Sequence, residues 1–267
     1  MGASRSRHIT TSHPRLQTKV TSMKKILAFG LLFPLLIACL PSGTTRNPPN
    51  KIDNPPSLEA VELFRPVFNT NEGEVAAGTA FLAKHQQQTY LITAHHLIGQ
   101  AGGLNRDYTG AELDGFLHSV DGKPIEQSAD TITSETLVLI PEAESVTNES
   151  GQNDVLIFKA ESNPNLVPLK LSNSLPSIGE TVWLYAELAN RDRLLHQAEV
   201  VESDRDFLTL SYQDTGLNLR ASSGAPILNA QKEVVGINLA GGLQSGELIG
   251  WANPGSSAIA KIEQHDR

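Results

Sequence analysis

Thr89-Tyr90-Leu91-Ile92-Thr93-Ala94-His95-His96 joins an apolar run to a pair of histidines, one hairpin after Gly78-Thr79-Ala80-Phe81-Leu82. Short runs rich in Ile, Leu, Thr, Tyr and Phe, bounded by polar turn residues, read as strands. The same texture continues on both sides. Candidate strands lie at 75–83, 89–93, 115–120, 135–140 and 154–160, then at 167–171, 181–185, 194–202, 206–212, 226–228 and 234–240. Repeats of about ten residues with Gly, Asn, Asp and Pro between them predict an all-β sandwich or barrel. Two antiparallel barrels of about six strands fit the body, the first over about 58–163 and the second over about 164–254. One helix is expected at about 255–265, where Pro254-Gly255-Ser256-Ser257 precedes an apolar face of Ala258, Ile259 and Ile262.

Two further stretches carry chemistry. Asn153-Asp154-Val155-Leu156-Ile157-Phe158 sets an acid at the mouth of a very apolar strand. Ala221-Ser222-Ser223-Gly224-Ala225-Pro226 sets a serine turn before another. Taken singly, each has a structural reading: Asp154 as a strand-end cap, the serines as a polar turn, the histidines as packing groups. Taken together they supply a weak hydroxyl nucleophile, an imidazole able to take and return its proton near pH ~6.5, and a carboxylate to orient that imidazole.

In this order, separated by 58 and 69 residues, the pieces resemble the chymotrypsin/trypsin-like serine peptidases, compact bacterial type. That family's pattern is a G-T-x-F strand, a T-A-x-H turn, an Asp beside an apolar strand and G-x-S-G-x-P. The resemblance spans roughly residues 59–264. It implies a catalytic triad of His96, Asp154 and Ser223, with His96 chosen over His95 by its distance from Thr93, and Ser223 over Ser222 by the Gly-x-Pro that follows. It also implies an oxyanion hole at the N–H groups of Ala221 and Ser223. Leu217 should form the base of the side-chain pocket, with Asn238, Leu239, Ala240, Gly241 and Gly242 along one wall. With no acid at that base, an apolar or small side chain is the expected preference.

Ala221 departs from the pattern, since glycine usually occupies this place and suits a backbone that must adopt φ > 0. This opens a second function class, a pseudoprotease that binds peptides or envelope proteins without cleaving them. An esterase is disfavoured, because a G-x-S-x-G elbow is missing. No cofactor is implied. The adjacent pair His95-His96 lacks the ligand spacing of a zinc site, so no metal is expected.

Charge and the N-terminal region set the address. Six of the 21 basic residues lie in residues 1–38, which hold no acid, leaving 15 basic against 29 acidic residues and a formal charge of −14 beyond them. Such a body argues against nucleic acid as a partner. From Met23, Lys24-Lys25 and the apolar run from Ile26 to Ile37 read as a secretory signal too short to span a membrane comfortably. Leu36-Ile37-Ala38-Cys39 resembles a bacterial lipoprotein signal and makes Cys39, the only cysteine, the lipidation site. Residues 1–38 are thus expected to be a signal region, with Met23 as the true start. Residues 39–57, rich in Pro and Asn, are expected to be a flexible tether. With Leu40 after the cysteine, the expected location is the cell envelope, at the outer membrane if the host is Gram-negative.

Overall fold

The computed structural model describes residues 54–126, 131–147, 150–192 and 194–267, all within one compact unit, Asn47–Arg267. The signal region, Cys39 and nearly all of the expected tether lie outside the described residues.

The first barrel contains β1 (Leu63–Thr70), β2 (Gly73–Ala76), β3 (Ala80–His85), β4 (Gln88–Thr93), β5 (Leu117–Pro124), β6 (Ile132–Ser134), β7 (Thr136–Leu137) and β8 (Leu156–Ala160). Antiparallel pairing runs from β4 through β3, β1 and β5 to β6, and from β4 through β8 to β7. Only Glu135 separates β6 from β7, so the ring closes with six strands, while β2 folds back on β1. The second barrel is built from β10 (Thr181–Tyr185), β11 (Leu195–Ser203), β12 (Leu208–Tyr212), β13 (Pro226–Leu228), β14 (Glu233–Gln244) and β15 (Glu247–Pro254). It closes in the order β10-β11-β12-β15-β14-β13 and back to β10. Between the barrels, β9 (Leu169–Leu171) pairs in parallel with both β3 and β14. The all-β double barrel and its terminal helix are as the sequence indicates.

Period-two alternation explains the core. Ala80 and Leu82 of β3, Leu91 of β4, and Leu156 and Phe158 of β8 pack inside the first barrel. Their neighbours Phe81, Ala83, Tyr90, Ile92 and Ile157 face a second core between the barrels. Strands buried on both faces lose the polar half of their alternation, which is why these runs are continuously apolar. A third core, including Val182, Leu184, Val200, Leu210 and Ile227, fills the second barrel.

Helix α1 (Gly255–His265) begins where the sequence places it, without a side-chain cap. Gly255 is dictated by packing, since a Cβ there would lie 2.3 Å from the carbonyl oxygen of Val234. Ala258, Ile259 and Ile262 seal the inter-barrel core. The single strand expected over 75–83 is broken at Gly78, whose φ of +69° suits glycine and where a Cβ would lie 2.7 Å from the carbonyl oxygen of Ser223. Ile262→Ala should therefore destabilise the fold by about 2–4 kcal/mol, lowering the melting temperature by roughly 4–16 °C. Thermal denaturation should show almost no effect for the exposed control Glu263→Ala.

Candidate active site

Asp154 lies just before β8 and is fully buried. Its carboxylate accepts three hydrogen bonds: from the His96 N–H to Oδ1 at 2.9 Å, from His96 Nδ1 to Oδ2 at 2.7 Å, and from the Val146 N–H to Oδ2 at 2.9 Å. His96 sits in a 3-10 turn, His95–Leu97, reached directly from β4. With Nδ1–H given to the carboxylate, Nε2 is the basic nitrogen, and it makes no hydrogen bond among the described residues. The Asp154 carbonyl accepts from Asn253 Nδ2 of β15 at 3.3 Å, and Lys261 of α1 donates to Asn153 Oδ1 at 2.9 Å. Strand and helix together fix the loop that carries the acid.

The loop bearing Ser223 is held from the first barrel. Thr79 donates its N–H to the Ser223 carbonyl at 2.8 Å and its hydroxyl to the Ala221 carbonyl at 3.0 Å. Gly224, at φ +85°, passes so close to Thr79 and Thr93 that a Cβ would lie 2.2 Å from each. Ala221 itself has φ +63°, a left-handed conformation costing an L-residue about 1–2 kcal/mol. Neither the Ala221 nor the Ser223 N–H donates to an acceptor among the described residues, and both residues line the cleft. Ser223 Oγ donates to the Leu239 carbonyl at 2.9 Å.

One cleft of about 870 Å³ brings His96, Ala221 and Ser223 together with Leu217, Leu239, Ala240, Gly241 and Gly242. Asn238 is a correction: it is absent from the cleft lining, and its amide donates to Ser222 while its backbone pairs with Gly224 and Ala225. The strand edge facing the cleft begins at Leu239 instead. The competing residues are otherwise engaged. Ser222 is fully buried and donates to the Leu219 carbonyl at 2.7 Å. His95 is fully buried, its Nε2 2.7 Å from the Tyr108 carbonyl and its Nδ1 without a hydrogen-bond partner among the described residues. Thr79, Asn253, Lys261 and Leu219 were not anticipated as site residues; only Thr79 had a signal, its place in the Gly-Thr pair.

The sequence matches the trypsin-like peptidase domain over residues 78–237, well over half of the chain. The chain belongs to the trypsin-like peptidase family. Among solved structures it is similar to a serine endoprotease from Yersinia pestis, with a TM-score of 0.50 and 18% identity over 77% of this chain and 62% of that one. It thus spans less than two thirds of that protein, and the likeness supports the fold. It is also similar to the HtrA-type protease AlgW with tripeptide (TM-score 0.49, 16% identity, 77% and 60% covered). A thermostable serine protease from an extremophilic microorganism gives 0.48 and 15%, with 77% and 96% covered. No curated protein matches the sequence.

Burial lowers the pKa of His95, against an opposing hydrogen bond to Tyr108 and the nearby Asp154. A depressed folded-state pKa stabilises above the unfolded value of ~6.5, and that contribution is lost as pH falls from there towards the folded value. His95→Gln keeps a donor for Tyr108 without a titrating ring. Urea denaturation at pH 7.5 and 5.5 should show the wild type losing more stability than this variant over the same interval.

Proposed function

We propose that the chain is a serine endopeptidase in which His96, Asp154 and Ser223 act as one unit. The observation that carries this reading is the buried Asp154–His96 pair opening on the same cleft as Ser223 and two unpaired N–H groups. In the proposed cycle the Ser223 hydroxyl leaves the Leu239 carbonyl and gives its proton to His96 Nε2 as Oγ attacks the peptide carbonyl. Asp154 holds the imidazole tautomer and stabilises the imidazolium. The Ala221 and Ser223 N–H groups receive the developing oxyanion, worth about 3–4 kcal/mol per donor. His96 then protonates the departing amine, leaving an acyl group on Ser223. Water, deprotonated by His96, releases it.

A pseudoprotease is the second reading, favoured by the strained Ala221 and by the direction of the Ser223 hydroxyl. Labelling with a fluorophosphonate, located by peptide mapping, separates the two. Endopeptidase chemistry requires labelling at Ser223 alone, lost in Ser223→Ala and slowed about a thousand-fold or more in His96→Ala. Ala221→Gly should label at least as fast as wild type. A folded wild type that resists the probe would leave only the binding role.

We further propose export and lipid anchoring at Cys39, with the catalytic body held in the cell envelope. Support comes from the signal-like run Met23–Ala38 and from the cysteine that ends it. Acyl chains partition at ~0.8 kcal/mol per buried methylene, enough for stable anchorage when several are attached. In a bacterial host the full chain should fractionate with membranes and Cys39→Ser should not; equal distributions would reject the anchor.

A further inference from the structure

We infer that Leu219 is the specificity-determining stopper of the substrate side-chain pocket, limiting it to small apolar residues on the N-terminal side of the cleaved bond. This deepens the endopeptidase reading and rests on it.

Gly241 of β14 and Gly250 of β15 are cross-strand partners. Side chains at such a pair would stand on one face of the sheet, only about 5 Å apart. With no side chain on either, the pair leaves a slot, and two neighbours fill it. A Cβ on Gly241 would lie 2.4 Å from Leu219 Cδ1, and one on Gly250 would lie 2.7 Å from the Tyr212 ring. Leu219 also lines the cleft, whereas Tyr212 is buried behind it in the core of the second barrel. Leu219 is therefore the stopper at the mouth of the slot and Tyr212 its floor. The Tyr212 hydroxyl is buried and has no hydrogen-bond partner among the described residues.

The stopper sits on a braced loop. Arg191 grips Asp214 in a two-pronged ion pair, Nη2 to Oδ2 at 2.7 Å and Nε to Oδ2 at 3.0 Å, with Nη2 to Oδ1 at 2.9 Å. Asn190 Nδ2 donates to the Gly216 carbonyl at 2.7 Å, and Asn190 Oδ1 accepts the Asn218 N–H at 3.2 Å. Behind Leu219, its own carbonyl accepts the Ser222 hydroxyl. These contacts brace the backbone that carries Leu219, so the residue as a whole does not move aside for a large substrate group without distorting them. Leu217 and Ala240 line the cleft beside it.

The test uses peptidyl diphenyl phosphonates bearing an Ala, Leu or Phe side chain beside phosphorus. Their rates of reaction with Ser223 are each divided by the same variant's rate with a fluorophosphonate that has no such side chain. In the wild type the Ala probe should react about ten-fold or more faster than the Phe probe. Leu219→Ala should raise the Phe-to-Ala ratio by about ten-fold or more, and the milder Leu219→Val should fall between. A wild type that prefers Phe or Leu, or a ratio unmoved in both variants, overturns the stopper while leaving the endopeptidase intact. An unlabelled wild type removes both, and the fluorophosphonate control identifies that case.

Discussion

A fully buried carboxylate is the constraint around which the molecule is arranged. Withdrawing Asp154 from water costs several kcal/mol unless its oxygens are saturated. Three N–H donors do this, two from His96 and one from Val146, so the acid and the imidazole cannot be placed independently. The backbone around Asp154 must be equally exact, because N–H···O bonds weaken steeply when misaligned. Asn253 from the second barrel and Lys261 from the terminal helix supply that precision from outside the first barrel. Helix α1 therefore does two jobs: it closes the inter-barrel core and steadies the loop bearing the acid.

Ser223, the proposed nucleophile, belongs to the other barrel, so the two halves need a shared reference. Thr79 provides it, bridging from the entry to β3 to the carbonyls of Ala221 and Ser223. The close approach of Gly78 to the Ser223 carbonyl and of Gly224 to Thr79 leaves no room for a Cβ on either side. Parallel pairing of β9 with β3 and β14 carries the same registration through the sheets. A relative shift of the barrels by an ångström would break the Thr79 bonds and separate His96 from Ser223 together.

Much of this was legible in the sequence, for physical reasons that differ by element. The strands β4, β8, β10 and β14 are buried on both faces or face a core, and their apolar runs announce them. Strand β1 was missed because Arg65 and Pro66 interrupt it; proline lacks the N–H of a ladder and reads as a strand breaker. Strand β15 was missed because its Gly, Trp, Asn and Pro mix has little β-like texture. The proposed roles of His96, Asp154 and Ser223 are legible by type and order, since that chemistry would demand those side chains. Thr79 and Asn253 act chiefly on backbone carbonyls, which any sequence supplies, so their partners leave no trace. The sequence places Asn238 on the cleft wall because it reveals neither the register shift between Asn238 and Ala240 nor that the Asn238 amide is committed to Ser222.

The strain at Ala221 fits this arrangement. A left-handed alanine persists only where surrounding contacts over-determine it. Here the Thr79 hydroxyl holds its carbonyl, while the loop continues into Ser222, which is anchored at both its hydroxyl and its carbonyl. The cost is therefore met by bonds that exist before any substrate arrives, and the Ala221 and Ser223 N–H groups are left without acceptors among the described residues. Donors fixed in advance need no reorganisation when negative charge develops, which is what the proposed oxyanion role would draw on. The Ser223 hydroxyl, by contrast, is parked on Leu239 by a single bond and needs only a side-chain rotation to leave it. In the proposed cycle, the rigid part of the site is thus the part that would receive charge, and the mobile part is the part that would attack.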